Sequence, residues 1–331
     1  MGGMKIPERG TFEFAHADDY AGRLSVRQGC FPATLRLQFR FATHAGCINW
    51  RDARGPLSPL MCSPFSDLFA YWVHDISPFL GPHWGNFGIR YYGLAYLLGF
   101  LASAWLLKTY SRAERSLLPL AKVTDLMIVV VLGVVIGGRL GYFLLYQARN
   151  LGEDPLAILR VWEGGMASHG GMVGVAVALW WFSRAEKIPL LHLGDLICST
   201  APAGLFFGRI ANFINGELWG KHSEVSWAVV FANTGGGPLP RHPSQLYEAI
   251  LEGLVLFAFM QWRFWSSDVV RQKTGRLTGE FFIAYAVLRA IGEIYREPDV
   301  GLSLMFGLSR GTFYSIFLAG AGLWLTLRKV R

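Results

Sequence analysis

The chain has 331 residues, of which 52% are hydrophobic, 15% aromatic and only 16% charged, and its mean hydropathy is +0.32. Soluble domains use about 25% charged residues, so this composition excludes an ordinary soluble domain and indicates a membrane protein. The net charge of +8 does not indicate a nucleic-acid-binding protein, because the basic residues occur in short clusters beside apolar segments rather than in a stripe with aromatic residues.

The N-terminal region differs from the rest of the chain. Residues 1–60 contain scattered arginines without a sustained hydrophobic period, and their apolar stretches are too short and interrupted for the core of a signal peptide. We predict a poorly structured extension over 1–60 and an extracytoplasmic arm over 61–90. Since a segment of different character opens at Met61, we hypothesise that part of 1–60 is an upstream extension rather than part of the working protein.

The four cysteines are Cys30, Cys47, Cys62 and Cys198. None forms a C-x-x-C pair or has histidines nearby at zinc-ligand spacing, and Cys198 falls inside an apolar run. We therefore expect no disulfide framework and no metal. We also expect no cofactor.

Apolar runs recur at regular intervals from residue 91 onward, and each is near the roughly 20 residues that a spanning helix needs. They cover about 91–109, 124–146, 165–183, 190–211, 246–265, 279–295 and 311–327. The sequence predicts an all-α multi-pass membrane protein with about seven transmembrane helices, and residues 91–331 form its transmembrane domain.

The connecting segments alternate between those rich and those poor in lysine and arginine. Basic residues are concentrated between helices one and two, three and four, and five and six, and after helix seven. They are Lys108, Arg112, Arg115, Lys122, Arg184, Lys187, Arg271, Lys273, Arg276, Arg328, Lys329 and Arg331. Since positive residues mark cytoplasmic loops, this pattern predicts an external N-terminus and a cytoplasmic C-terminus.

The longest external connection, about 212–245, is predicted to form a small extracytoplasmic head. It contains a strand-like stretch from Val225 to Phe231, followed by a Gly-Gly-Gly-Pro turn at 235–238. The same topology places residues 162–169 and 296–299 near the outer surface. Any chemistry should therefore face outward.

Ionisable residues occur within the apolar helices, where a charge costs at least about 2.5 kcal/mol unless it faces a cavity or a partner. Helical spacing puts several on common faces. The groups are Tyr285, Arg289, Glu293 and Arg296 on helix six, Gln245, Glu248 and Glu252 on helix five, Arg139 with Tyr142 and Tyr146 on helix two, and Asp195, Arg209 and Asn212 on helix four.

Two interpretations of these charges remain open. They are structural ion pairs, with Glu293 pairing to Arg289 or Arg296, or they line a ligand site. If Arg139, Arg209, Arg289 and Arg296 all point into one cavity, cation exceeds the neighbouring carboxylate and an anionic ligand is expected. Guanidinium suits phosphate because it donates two parallel hydrogen bonds, and the commonest phosphate in a bilayer is a lipid head group.

Four motifs are too specific for composition to explain. They are GGRLGY at 137–142, WEGGMASHGG at 162–171, GRIANFINGELWG at 208–220 and RHPSQLYE at 241–248. In this order, together with residues 285–299, they resemble the prolipoprotein diacylglyceryl transferase family over about 72–328. The chain departs from the family pattern at Ala167-Ser168, Ala211, Lys221 and Thr312, and none of these changes removes an ionisable group.

The resemblance implies an enzyme of the bacterial cytoplasmic (inner) membrane, whose partners are phosphatidylglycerol and prolipoprotein signal peptides. Such an enzyme transfers the diacylglyceryl group of phosphatidylglycerol to the lipobox cysteine, forming a thioether and releasing glycerol phosphate. The attacking sulfur must be a thiolate, which needs a base or a strong positive field. Which of the two lowers the thiol's pKa remains open.

The resemblance also implies residue roles. His169 is the candidate base, and Arg209 and Arg289 stabilise the leaving phosphate. The implied substrate-binding residues are Arg209, Asn212, Glu217, Gly220, Tyr92, Arg139, Tyr285, Glu293 and Arg296.

Some of these residues have alternative explanations. His169 is also placed to cap a helix, and Tyr92 to serve as an interfacial anchor. The glycines of the first two motifs are more typical of close helix packing than of chemistry. Inward arginines would also suit a transporter or flippase of anionic lipid, although the sequence has no internal repeat. A purely structural scaffold leaves the ionisable stripes unexplained.

Overall fold

The computed structural model describes residues 71–83, 88–148, 154–160, 164–298 and 308–328. The predictions for residues 1–60, for a start at Met61 and for the first ten residues of the arm lie outside this range. So do Trp162, Glu163, Asp299, Lys329 and Arg331.

Each predicted apolar run is helical, so the described residues contain seven long helices. They are α1 Tyr91–Arg112, α2 Val123–Tyr146, α3 Ser168–Glu186, α4 Leu190–Ile214, α5, α6 Arg276–Glu293 and α7 Arg310–Leu327. Helix α5 consists of three consecutive segments, Ser244–Glu248, the π-helical Ala249–Val255 and Leu256–Ser266. A short helix, Val269–Gln272, lies between α5 and α6.

The surface of the helices is apolar, as a lipid-facing surface must be. In the described residues, two helical stretches are long and apolar enough to cross a membrane by length and composition, Leu120–Tyr146 and Leu190–Ile214. Only 22% of the most apolar window of the first and 39% of that of the second is buried in the protein. Large side chains such as Trp105, Trp181 and Phe317 are also exposed on other helices. Since soluble proteins rarely expose large apolar patches, this surface is consistent with a helical membrane protein.

Glycines bring α2 and α3 into close contact. A Cβ on Gly141 would lie 2.6 Å from the Cα of Gly170, and one on Gly133 would lie 2.7 Å from the carbonyl oxygen of Gly174. Any side chain at these positions would therefore force the two helices apart. The packing explanation is confirmed for Gly137, Gly141 and Gly170.

A small sheet covers one end of the helices. Strand β1, Trp72–Val73, pairs in parallel with β2, Val229–Val230, and β2 pairs antiparallel with β3, Pro240–Arg241. Of the predicted strand from Val225 to Phe231, only Val229–Val230 forms a β-strand. A 3₁₀ turn follows at Ala232–Thr234. The sheet joins the segment before α1 to the connection between α4 and α5.

At the other end, α4 holds the beginning of α6. The buried carboxylate of Asp195 accepts hydrogen bonds from the backbone N–H of Gly275 at 2.6 Å and of Thr278 at 2.7 Å, and from the Thr278 hydroxyl at 2.8 Å. These bonds satisfy amides that the first turn of a helix leaves without partners. They fix the start of the helix that carries Arg289 and Glu293.

Candidate active site

Chain order gathers the predicted site residues at one end of the helices. They lie near the start of α1, α3 and α5 and near the end of α2, α4 and α6. When consecutive helices run in opposite directions, these starts and ends lie at the same end of the helix bundle. The contacts agree, since Tyr92 near the start of α1 bonds to Asn212 near the end of α4, and His169 packs against Tyr314 of α7.

Glu248 is the centre of an ionic cluster. Its carboxylate lies 2.9 Å from Nη1 of Arg209, 2.6 Å from Nη1 of Arg289 and 3.3 Å from Nη1 of Arg296. The Glu248 side chain is 0% exposed. One carboxylate therefore aligns three arginines that come from two helices and the segment after α6.

Two more glutamates complete this arginine–glutamate cluster. Glu252 lies 2.8 Å from Nη2 of Arg209 and 3.4 Å from Nη1 of Arg289. Glu293 lies 2.5 Å from Nη2 of Arg289, which confirms the predicted pairing of Glu293 with Arg289. Three arginines thus face three glutamates, so the predicted excess of cation is not found in this cluster.

The π-helical segment of α5 helps to bring both glutamates to the arginines. A π-helix has a wider turn than an α-helix, and such segments often occur at functional sites. Here it contains Glu252 and directly follows Glu248. Within it, a Cβ on Gly253 would lie 2.7 Å from the Cβ of Phe206, so the glycine allows α5 to approach α4 one turn before Arg209. Residue spacing predicted the acidic face of α5 but not this winding.

A second polar group lies next to the cluster, since Asn212 is three residues after Arg209 on α4. The buried amide of Asn212 donates to the hydroxyl of Tyr92 and, at 2.9 Å, to Oε1 of Glu217. The side chain of Gln245 donates to the backbone oxygen of Glu217 at 2.6 Å. Tyr92 is therefore hydrogen-bonded to the polar group beside the cluster, and its role as an interfacial anchor stays a prediction.

Gly220 has a packing role that its substrate-binding assignment did not include. A Cβ there would lie 2.6 Å from the carbonyl oxygens of both His242 and Tyr295. Its backbone also pairs with that of Arg296 in an isolated antiparallel bridge. Gly220 thus lets the head approach the end of α6, where Arg296 joins the cluster.

His169 lies in the first turn of α3 and is exposed. The residue before the helix is Ala167, whose side chain has no hydrogen-bonding group, so the capping alternative for His169 is not seen. Its ring packs edge-to-face against Tyr314, with 6.1 Å between centroids. One turn earlier on α7, a Cβ on Gly311 would lie 3.0 Å from Nη2 of Arg289. Helix α7 therefore links His169 to the arginine–glutamate cluster.

Arg139 is not joined to the other three arginines. Its guanidinium instead donates to backbone carbonyls of the segment between α2 and α3. The four arginines therefore do not share one set of contacts, as they would if all four pointed into one cavity.

The arginines and one glutamate of the cluster keep some accessible surface. The side chains of Arg209, Arg289 and Glu293 are 15%, 11% and 12% exposed, whereas Glu248 and Glu252 are both 0% exposed. Tyr285 lies one turn before Arg289 on α6, where it packs against the hydrophobic core. The fold and site define a helical membrane protein with a buried arginine–glutamate cluster at one end.

Comparison with known proteins gives the family. The sequence model of the prolipoprotein diacylglyceryl transferases matches residues 81–328, and the chain belongs to this family. Similar proteins include phosphatidylglycerol–prolipoprotein diacylglyceryl transferases from three bacteria. The protein from Rhodospirillum rubrum is 44% identical over 271 residues, which cover 80% of this chain and 97% of the relative. That from Rhodospirillum centenum is 43% identical over 246 residues (74% and 88%), and that from Zymomonas mobilis is 46% identical over 241 residues (72% and 83%).

Proposed function

We propose that this protein transfers the diacylglyceryl group of phosphatidylglycerol to the lipobox cysteine of prolipoproteins. The product is a thioether, and glycerol phosphate is released. The observation that carries the proposal is the arginine–glutamate cluster, in which the side chains of Arg209 and Arg289 keep accessible surface in a chain of this family.

The proposed topology has seven transmembrane helices, an external N-terminus, a cytoplasmic C-terminus and an active site toward the outer face of the cytoplasmic membrane. The alternating basic loops support it. At the end opposite the site, Lys122 pairs with Glu186 at 2.8 Å, and Arg115 with Asp268 at 3.1 Å. The sheet over the site end belongs to the external head at about 212–245 and to the arm before α1.

The arginines stabilise the leaving group. As the bond between the glyceryl carbon and the phosphate oxygen breaks, its electron pair remains on the phosphate. Arg209 and Arg289 donate hydrogen bonds to that growing negative charge, and such bonds are strongest where water is excluded. Glu248, Glu252 and Glu293 hold the two guanidinium groups in place before the lipid arrives.

His169 accepts the thiol proton as the new bond forms between sulfur and carbon. Histidine suits this step because its charge changes near neutral pH. Its exposure leaves it accessible to a substrate, and its contact with Tyr314 keeps it near α7.

The remaining site residues bind and orient the head group. Asn212, Glu217 and Tyr92 form one hydrogen-bonded group that is suited to glycerol hydroxyls. Tyr285 and Arg296 border the cluster and complete the site around the phosphate.

The test is direct transfer by the purified protein. Phosphatidylglycerol and a synthetic lipobox peptide are incubated with it, and the peptide mass is measured, with a cysteine-to-serine peptide as the control. We expect the mass of one diacylglyceryl group to be added to the cysteine peptide only. No addition under conditions in which a related transferase is active would refute the proposal.

A further inference from the structure

Arg139 is only 4% exposed, and its guanidinium donates to backbone carbonyls of residues 157–160 and 164–165. Nε donates to the carbonyl of Ile158 at 3.1 Å, and Nη2 donates to those of Ala157 at 2.6 Å and Arg160 at 2.7 Å. Nη1 donates to the carbonyl of Gly165 at 3.0 Å and also to that of Gly164. A guanidinium has five N–H groups, so all five have partners.

The loop is shaped to receive this side chain. Gly164 and Gly165 both have φ of +81°, a conformation that glycine adopts without strain. The Gly165 backbone also lies against the ring of Tyr142, since a Cβ there would be 2.5 Å from the ring. On the other side, the guanidinium carbon of Arg139 lies 4.9 Å from the centre of the Phe143 ring.

These contacts do not suit direct lipid binding. A phosphate held by two parallel hydrogen bonds would have to displace two of the carbonyls, and each would then be left without its donor in a dry environment. The contacts instead suit an internal support, because one side chain holds five backbone groups of a single loop.

This loop leads directly into α3. The backbone N–H of Ala167 donates to the carbonyl of Gly138 at 2.9 Å, which ties the end of the loop to the residue before Arg139. Two residues after Ala167 comes His169. The position of the histidine therefore depends on the loop that Arg139 holds.

We propose that Arg139 is a positioning residue for His169, and that it acts through the described residues before α3, 157–160 and 164–167, rather than by touching the lipid. The expected effect on the transfer rate rests on the proposed function, in which His169 accepts the thiol proton. A displacement of about 1 Å at a reacting group is enough to cost about 10²-fold in rate.

The kinetic test uses Arg139→Lys, which keeps the charge but removes the five-donor fork. We expect kcat to fall about 10²-fold while KM for phosphatidylglycerol stays within about two-fold of wild type. In a His169→Asn background, Arg139→Lys should cause almost no further loss, because both changes remove the same function. An equal fold-loss in both backgrounds, a higher KM at normal kcat, or unchanged kinetics would overturn the proposal.

Gly165→Ala disturbs the same loop from its opposite side, so the proposal remains testable if Arg139→Lys does not fold. It should give the same change in kcat with KM preserved. Arg263→Lys, at the other end of α5 in a pair with Glu280 at 2.8 Å, is the matched control and should leave both constants near wild type. Full activity of Gly165→Ala would count against the proposal.

Hydrogen–deuterium exchange gives a result that does not depend on catalysis. Peptides covering residues 157–171 should exchange faster in Arg139→Lys than in wild type, while Arg263→Lys should leave them unchanged. A wild-type protein that transfers no lipid would refute the proposed function but leave this measurement valid. Unchanged exchange in Arg139→Lys would refute the positioning role alone.

Discussion

Glu248→Gln tests whether one buried carboxylate organises the active site. The substitution keeps the size of the side chain and removes its charge, so Arg209, Arg289 and Arg296 would face only Glu252 and Glu293. The new amide also has one oxygen where the carboxylate has two, and its NH₂ group would point toward guanidinium donors. In wild type the two oxygens contact three guanidinium groups at 2.6–3.3 Å.

The burial of Glu248 determines how much stability the substitution should cost. Removing one partner of a buried ion pair typically costs about 3–5 kcal/mol, because the remaining charge stays buried without compensation. The lower end applies here, since Glu252 and Glu293 still contact two of the arginines. A loss of about 3 kcal/mol corresponds to a decrease of about 6–12 °C in Tm for a domain of this size.

The assay is thermal unfolding in detergent micelles, followed by circular dichroism, together with the transfer rate. Glu280→Gln is the control, because Glu280 also pairs with two arginines, Arg263 at 2.8 Å and Arg276 at 3.1 Å, but at the other end of α6. Its partners are more exposed, so about 1 kcal/mol is expected and transfer should be near wild type. Glu248→Gln should reduce transfer by about 10²-fold through misplaced guanidinium groups.

Equal unfolding temperatures for the two variants, with normal transfer by Glu248→Gln, would refute this reasoning. The arginines would then be held by contacts other than the central carboxylate. A normal unfolding temperature with lost transfer would instead limit the role of Glu248 to the reaction and contradict the energetic argument.

Four further predictions concern other positions. Arg209→Lys and Arg289→Lys should each lower the rate of transfer by about 10²-fold or more, because lysine lacks the planar guanidinium fork. Near-normal turnover of either variant would exclude a bidentate phosphate clamp. His169→Asn should lower the rate of transfer by roughly 10²- to 10⁴-fold near pH 7. This loss should shrink toward pH 9, because the cysteine thiol of the substrate then ionises without a base. A loss independent of pH would indicate that His169 orients the substrate. Gly311→Ala should lower turnover with little change in Tm, since its Cβ would lie 3.0 Å from Nη2 of Arg289; unchanged turnover would show that α7 adjusts freely. Asp195→Asn should lower the free energy of unfolding by about 1–2 kcal/mol through weaker capping of α6, measured by denaturant titration in micelles; unchanged stability would contradict that capping role.

The helices were predictable from the sequence because each apolar run is long enough to indicate one element by itself. All seven predicted runs are helical, and the spacing of Arg289 and Glu293 predicted their contact, since residues four apart on a helix are neighbours. Strand β1 was not predicted. It has two residues, and its partner β2 lies more than 150 residues further along the chain, so no local pattern indicates the pairing.

The contacts of the site were harder to predict than its members. Spacing put Glu248 and Glu252 on one face of α5, but their contact with Arg209 depends on how closely α4 and α5 approach, which Gly253 and Phe206 determine. The loop around Arg139 was missed for another reason. Its partners are backbone carbonyls, which every residue has, so the sequence pattern does not distinguish them.

The π-helical segment of α5 also fixes the rotational phase of that helix. A π-helical turn holds one residue more than an α-helical turn, so rewinding Ala249–Val255 as an ordinary α-helix with no residue deleted would rotate the part that carries Glu248 by about 100° relative to Leu256–Ser266. The second half contributes Leu256, Met260 and Phe264 to the hydrophobic core, so its orientation is fixed by packing. The charge of the active site is thus coupled to the core by the winding of the segment between them, and a change of winding that alters no ionisable group would turn the acidic face away from the arginines.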